Sequence, residues 1–166
     1  MNAHNSKPNI LLIDDSRLNL DFICDMLKGS YNTHLAQNGH SAFEILEKQP
    51  IDLILLDVIM PEMDGFEVCR KIKQDPKTSD IPVIFLSSLS NTDDIVKGFI
   101  EGGVDYIPKP FQKEELLVRI QRHIEYKRTQ DKINSQLEEL RKSNRYLMGT
   151  MHEMSKMMME QKPEEK

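Results

Sequence analysis

Five polar residues that follow short apolar runs could do chemistry together. Three are carboxylates, Asp14, Asp15 and Asp57, and the others are Ser87 and Lys109. Carboxylates that lie close together repel one another unless one holds a proton or a cation lies between them. Mg²⁺ is a hard cation that takes oxygen ligands and usually keeps several waters. These residue types therefore predict a magnesium site that also accepts a phosphate.

The predicted ligands of this site come from three carboxylates and one backbone oxygen. Asp15 and Asp57 can bind the ion directly, Asp14 can bind it through water, and the carbonyl of Ile59 can add a neutral oxygen. The lysine would supply a mobile positive charge and the serine a neutral hydrogen-bond donor. A carboxylate nucleophile, Mg²⁺ and a lysine are the groups that phosphoryl transfer to an aspartate requires.

Each of these residues alone also has an ordinary structural interpretation. An Asp-Asp pair after a strand can cap a helix, and Ser87-Ser88 can cap the helix that is predicted to begin near Thr92. Lys109 between two prolines can be a solvated loop residue. Their order, each at the end of an apolar run, favours the phosphate site over these separate roles.

The elements that must position these residues alternate between two patterns. Short apolar runs predict strands at 10–13, 33–36, 53–56, 83–86 and 106–107, and apolar residues at helical spacing follow each one. This alternation predicts an α/β fold with a five-stranded, doubly wound parallel sheet. Such sheets bind ligands at the carboxyl ends of their strands, which is where the five residues lie.

Composition limits the class of protein. The chain has 166 residues, a formal net charge of −5 and 39% hydrophobic residues, enough for one core. No apolar run reaches the roughly 18–20 residues of a membrane span, and the N-terminus does not resemble a secretory signal. The acidic balance argues against a dedicated nucleic-acid binder. Two cysteines make no disulfide framework, so we expect a soluble, cytoplasmic protein.

Charge and methionine content divide the chain into two parts. Residues 127–166 hold 9 basic against 7 acidic residues, a net of +2, which leaves −7 for residues 1–126. Six of the 10 methionines also lie in the last 40 residues. We therefore predict a compact domain over 1–126, a helical extension over 127–161 and a polar tail over 162–166.

The first part resembles the receiver domain of two-component response regulators, the CheY-like family with a flavodoxin-like fold. The matching motifs are Asp14-Asp15, Asp57 in LLLDVIMPEMDG, Ser87 at the end of VIFLSS, and the segment from Tyr106 to Phe111. The match covers about residues 8–126. Pro108 and Ser88 depart from the residues that the family often has, without removing a functional group.

This resemblance implies a role for each matching residue. Asp57 would accept a phosphoryl group from a sensor histidine kinase or a histidine phosphotransfer protein. Ser87, Lys109 and the backbone N–H of Ser88 would contact that group, and Tyr106 would rotate inward with Ser87 as a switch. The implied magnesium ligands are Asp14, Asp15, Asp57 and the Ile59 carbonyl, and the implied Lys109-Pro110 bond is cis.

The helical extension has a heptad pattern. Apolar residues and one asparagine recur at alternating spacings of four and three: Ile133, Leu137, Leu140, Asn144, Leu147, Met151, Met154 and Met158. This pattern predicts a coiled coil, and Asn144 at an a position favours a parallel dimer through residues 133–159. The alternative is a single amphipathic helix that folds back on its own domain.

The sequence leaves open how a phosphorylated receiver would act on its target, and two interpretations are possible. The first is a phosphorylation-activated switch that dimerises and carries no enzymatic or DNA-binding module. The second is the receiver part of a larger hybrid histidine kinase or other catalytic signalling protein. His152-Glu153 faintly resembles the phosphoacceptor box of histidine kinases, although the usual proline after that box is absent and His152 takes a solvent-facing heptad position.

Overall fold

The structure is a computed structural model that describes residues 7–89 and 91–160. Its elements, in chain order, are β1 (Asn9–Ile13), α1 (Arg17–Leu27), β2 (Asn32–Ala36), α2 (Gly39–Lys48), β3 (Leu53–Asp57), α3 (Gly65–Gln74), β4 (Val83–Ser87), α4 (Thr92–Ile100), β5 (Asp105–Pro108) and α5 (Lys113–Glu160). The five strands form one parallel sheet in the order β2-β1-β3-β4-β5. The predicted doubly wound α/β fold is confirmed.

Both faces of the sheet are buried at its inner strands, which explains why β1, β3 and β4 are apolar without alternation. In β1, Leu11 and Ile13 point to one core, whereas Ile10 and Leu12 point to the other. The first core includes residues of α2 and α3, with Ile95 of α4 packed against it. The second core includes residues of α1 and the first turns of α5.

The order of the strands reverses direction between β1 and β3. The helix that follows β1 packs on one face of the sheet, and the helix that follows β3 packs on the other. The loops after these two strands therefore diverge and leave a crevice at their carboxyl ends. Asp14 and Asp15 directly follow β1, and Asp57 is the last residue of β3.

The chain divides into two compact units, Met1–Lys127 and Arg128–Lys166. We call their described parts the α/β unit (residues 7–89 and 91–127) and the helical unit (128–160). Helix α5 includes residues 127–132. None of the helices in the described part of the chain has the length and apolarity needed to cross a membrane.

Helix boundaries follow local caps that the apolar pattern does not contain. Helix α3 begins at Gly65 and ends at Gln74. Its N-cap is Asp64, whose side chain accepts a hydrogen bond from the backbone N–H of Glu67. The cap fixes where this helix begins, directly beside the strand that ends at Asp57.

Candidate functional site

Three carboxylates meet at the crevice between β1 and β3. Asp14, Asp15 and Asp57 each place one oxygen within 4.8 Å of the others. Asp14 and Asp57 are buried, with relative exposures of 2% and 7%, whereas Asp15 is exposed. Ile59 lies two residues beyond Asp57 in the loop between β3 and α3. The structure thus brings together the three carboxylates that the sequence predicts as metal ligands.

Lys109 lies between two of these carboxylates. Its Nζ is 2.9 Å from Oδ2 of Asp14 and 3.1 Å from Oδ1 of Asp57. The backbone N–H of Lys109 donates to the carbonyl of Ser87 at 2.8 Å, which holds the end of β5 beside β4. The Lys109-Pro110 peptide bond is cis, as the family resemblance implies.

The electrostatics of the site reflect this arrangement. Burial raises the pKa of Asp57 above its ordinary value, and the charge of Asp14 adds to the rise, while Lys109 opposes it. Burial alone would lower the pKa of Lys109. Its hydrogen bond to Asp14 and the charges of both carboxylates outweigh burial, so its pKa is raised. Lys109 therefore remains an ammonium and partly neutralises the cluster.

Asp14 is held by neighbours that sequence reasoning did not identify. The Nδ2 of Asn19 donates to both carboxylate oxygens of Asp14 at 3.1 Å, and the backbone N–H of Ser16 donates to Oδ1 at 2.9 Å. Ser16, and not the Asp-Asp pair, is the N-cap of α1. Asn19 follows Asp14 by five residues, and a lone asparagine on a helix is too weak a signal to predict this contact.

Ser87 and Tyr106 converge on the backbone of Leu89. Ser87 is fully buried, and its Oγ accepts a hydrogen bond from the Leu89 N–H at 3.1 Å. The Tyr106 hydroxyl donates to the Leu89 carbonyl at 2.8 Å, and its side chain is buried. Burial raises the pKa of Tyr106. Asn91 caps α4, so the capping interpretation of Ser87-Ser88 is wrong.

The loop after Asp57 is tightly folded against the strand. The backbone N–H of Gly65 donates to the Val58 carbonyl at 2.9 Å, and a Cβ at Gly65 would collide with the carbonyl oxygen of Asp57. Earlier in this loop, Glu62 has a φ of 66°. The backbone N–H of Met63 donates to the carbonyl of Pro61 at 2.8 Å, so Glu62 is the central residue of a γ-turn.

The donor set fits a hard divalent cation. Every candidate ligand is oxygen, two of the carboxylates are removed from water, and the third remains accessible. Mg²⁺ prefers such ligands and keeps part of its water shell, so a phosphate oxygen can replace a water. The residues present are therefore those that would hold Mg²⁺.

Comparisons with known proteins agree with this geometry. A family model described as the response regulator receiver domain matches residues 10–121. A probable cyclic di-GMP phosphodiesterase of Vibrio cholerae is 45% identical over 126 residues, covering 76% of this chain and 29% of that protein. Histidine kinase P4 of Formosa agariphila is 42% identical over 119 residues, covering 72% of this chain and 9% of that protein.

A solved structure also resembles the chain. The BeF3-activated receiver domain of DrrB has a TM-score of 0.66 and 30% identity, covering 72% of this chain and 99% of that one. The chain spans less than two thirds of the length of the curated relatives it matches.

Proposed function

Because the chain belongs to the response regulator receiver domain family, we propose that Asp57 is its phosphoacceptor in two-component signalling. The phosphoryl donor would be a phosphohistidine of a sensor histidine kinase or a histidine phosphotransfer protein. The observation that carries the proposal is the position of Asp57. Its carboxylate ends β3, faces Lys109 at 3.1 Å and lies beside Asp14 and Asp15.

In the proposed transfer, an Asp57 oxygen attacks phosphorus while the bond from phosphorus to the donor histidine nitrogen breaks. The attack needs an ionised carboxylate, which Lys109 favours although burial opposes it. Mg²⁺ held by the carboxylates and the Ile59 carbonyl would neutralise charge on the phosphoryl oxygens. Asn19 keeps Asp14 oriented toward the site.

The switch would use Ser87, Tyr106 and the backbone between them. We propose that the Ser87 hydroxyl, the Ser88 N–H and Lys109 contact the phosphoryl group once it is on Asp57. The Ser87 Oγ now accepts a hydrogen bond from the Leu89 N–H. Turning the hydroxyl toward the phosphoryl group would break that hydrogen bond. Because the Leu89 carbonyl accepts from Tyr106, this movement would reach the tyrosine.

The phosphoacceptor proposal is tested with acetyl phosphate and Mg²⁺. The wild type should gain one phosphoryl group, which mass spectrometry of the intact protein would detect, and Asp57→Asn should gain none. Lys109→Ala should retain the fold but show impaired phosphorylation or an impaired response to it. Asp131→Asn, an exposed aspartate of α5, is the matched control and should behave as wild type. Equal labelling of Asp57→Asn would contradict the proposal.

The partner proposal is supported by apolar side chains beside the site. Leu18 and Phe22 of α1 are 81% and 60% exposed, and a groove next to Lys109 is lined by Phe22, Pro110 and Phe111. We propose that this surface receives the phosphohistidine protein. Phe22→Ser should slow transfer from a phosphohistidine protein and leave labelling by acetyl phosphate unchanged. Equal slowing with both donors would instead indicate damage to the site.

We propose that output passes through the helical extension, with a receiver domain at 1–126, a coiled coil within 127–161 and a polar tail at 162–166. The residues at the a and d positions of the heptad pattern form a stripe that we call the seam. Its residues Leu137, Leu140 and Leu147 are 42%, 58% and 53% exposed. Leaving such side chains in water is unfavourable, and a second copy in register would cover them. Asn144 would then meet its counterpart across the two-fold axis.

Light scattering tests this dimer. The full chain should dimerise at tens of micromolar, with or without BeF3 as an acyl-phosphate mimic, and a chain that ends at Tyr126 should be monomeric. If both chains are monomers under both conditions, the coiled coil is wrong and a helix packed on its own domain is favoured.

A second candidate function follows from the names of the relatives. The matched phosphodiesterase and kinase are longer than this chain, which favours a receiver that controls a catalytic neighbour. Sequencing the gene beyond Lys166 distinguishes the two functions, since a stop codon there excludes a fused catalytic domain on that side. We also propose a cytoplasmic location, because the free thiols of Cys24 and Cys69 suit a reducing compartment.

A further inference from the structure

We propose that Met151, Met154 and Met158 are sulfoxidation sites through which peroxide dissociates the coiled-coil dimer. This inference rests on the proposed dimer of the helical extension. The three methionines occupy consecutive a and d positions of the seam, and in the single chain they are 69%, 61% and 73% exposed.

The seam changes chemistry along its length. Its first part consists of Ile133 and the leucines at 137, 140 and 147, interrupted by Asn144. Beyond Leu147, every apolar a or d position through 158 is a methionine. A leucine side chain resists mild oxidants, whereas a thioether becomes a polar sulfoxide. Oxidation would therefore act on one end of the seam and leave the other end apolar.

Three further methionines flank this end of the seam. Met148 and Met157 fall at e and g positions and Met159 at b, and they are 76%, 56% and 75% exposed. In the α/β unit, Met60 is 8% exposed, and Met26 and Met63 have intermediate exposure. Peroxide should therefore react first with the helical unit, and the flanking thioethers would remain accessible even when the seam is covered.

The reaction needs peroxide and nothing else. Each thioether sulfur takes one oxygen from hydrogen peroxide, so that the sulfur–oxygen bond forms as the oxygen–oxygen bond breaks and one water is released. The sulfur is oxidised by two electrons and the peroxide is reduced. Methionine sulfoxide reductases reverse the change. A sulfoxide in the seam would be buried without a partner, which disfavours the dimer.

Assembly and oxidation are therefore linked. The monomer exposes the three seam sulfurs, whereas the dimer would cover them, so peroxide should react faster with the monomer. Oxidised chains should then stay monomeric, because six sulfoxides would face one another across a dimer interface. Any signal that favours dimerisation would protect these residues from oxidation.

The test measures the dimer dissociation constant of the full chain by analytical ultracentrifugation before and after hydrogen peroxide. We expect it to rise about a hundredfold or more when the seam is oxidised. Peptide mass spectrometry should find sulfoxide at 151, 154 and 158 well before Met60 reacts. Treatment with methionine sulfoxide reductases A and B should restore the original constant.

A matched variant separates methionine from cysteine chemistry. Met151→Leu, Met154→Leu and Met158→Leu together retain an apolar seam and both thiols, so this variant should remain dimeric after peroxide. Replacing the same three residues by Gln should weaken the dimer without peroxide. Burial raises the pKa of Cys69 to about 11, which suppresses its reactive thiolate.

The outcomes distinguish this inference from the proposed dimer. A wild-type chain that is monomeric before peroxide, both with and without BeF3, overturns the dimer and this inference with it. A wild-type dimer that persists after full sulfoxidation of the seam overturns this inference alone. Equal dissociation of wild type and the leucine variant would also overturn it, because the sensitive group would then lie elsewhere.

Discussion

Apolar side chains are buried in the α/β unit and exposed in the helical unit. In the α/β unit, the strand residues of both cores are almost fully removed from water. In the helical unit, the large apolar side chains from Ile133 to Met159 are between 42% and 76% exposed. The first unit therefore buries its apolar side chains within itself, whereas the second presents an apolar surface to water.

Polar side chains also differ in burial between the two units. The described part of the chain has no buried side-chain nitrogen or oxygen without a hydrogen-bond partner, and its buried charges cluster at the carboxyl edge of the sheet. In the helical unit, the ion pair of Arg141 with Glu138 is more than half exposed at both ends. Buried polar contacts are therefore a feature of the α/β unit, whereas the ion pair of the helical unit remains in water.

Of the comparisons between the two units, matched leucine substitutions should give the largest difference in the free energy of unfolding. Leu55 is 1% exposed in β3, whereas Leu140 is 58% exposed. We expect Leu55→Ala to lower the free energy of unfolding by about 3 kcal/mol, because it leaves a cavity in a closed core. Leu140→Ala should lower it by less than about 0.5 kcal/mol in the monomer.

Urea denaturation at a concentration where the chain is monomeric measures both effects. Leu140→Ala should instead raise the dimer dissociation constant. A large loss of monomer stability in Leu140→Ala would show that the helical unit packs on something in its own chain.

Matched glycine substitutions in the two units should change stability in opposite directions. A methyl group at Gly65 would strike the carbonyl of Asp57, and neither backbone can yield without moving the site. Gly65→Ala should therefore destabilise the protein by about 2–3 kcal/mol. Nothing lies within 4 Å of a Cβ at Gly149, so Gly149→Ala should stabilise α5 by about 1 kcal/mol.

Thermal unfolding followed by circular dichroism would measure both variants, with Gly65→Ala also assayed for phosphorylation. If Gly65→Ala is as stable as wild type, the close approach to Asp57 is not a packing constraint.

Matched ion pairs should give the smallest difference. Asp105 is mostly buried, and its carboxylate accepts from the guanidinium of Arg119 at 2.9 and 3.0 Å and contacts His123 at 3.2 Å. Burial alone would raise the pKa of Asp105. Hydrogen bonds from the Tyr106 N–H, Arg119 and His123 outweigh it, so the pKa lies below 3.8.

A lowered folded-state pKa means that this carboxylate stabilises the fold above pH 3.8 and loses its effect as pH falls through the lower folded value. Asp105→Asn should therefore cost about 1–2 kcal/mol at pH 7. Its difference from wild type should shrink in acid. Glu138→Gln, at the exposed pair, should cost less than about 0.5 kcal/mol.

Urea denaturation at pH 7, 5 and 3 tests the comparison. A cost for Asp105→Asn that does not fall toward pH 3 would mean that the side chain acts through shape and not through charge.

The sequence alone determined the alternation of elements and the edge at which the polar residues gather. Runs such as Leu53 to Leu56 are apolar on both faces, and a strand needs this when helices cover the sheet on both sides. The three carboxylates, Ser87 and Lys109 each end or follow such a run, and parallel strands bring their carboxyl ends to one edge. Strand period and strand direction are local properties, so they can be read from neighbouring residues.

The tertiary structure alone decided which of these groups touch. Lys109 lies as close to Asp14, 95 positions away in the chain, as to Asp57. The contacts of Asn19 with Asp14, and of Tyr106 with the Leu89 carbonyl, join different elements across the edge of the sheet. Such pairings depend on how helices settle against strands and on which rotamers fit there. No local spacing specifies those distances, whereas the heptad seam, which is local, was fully visible in the sequence.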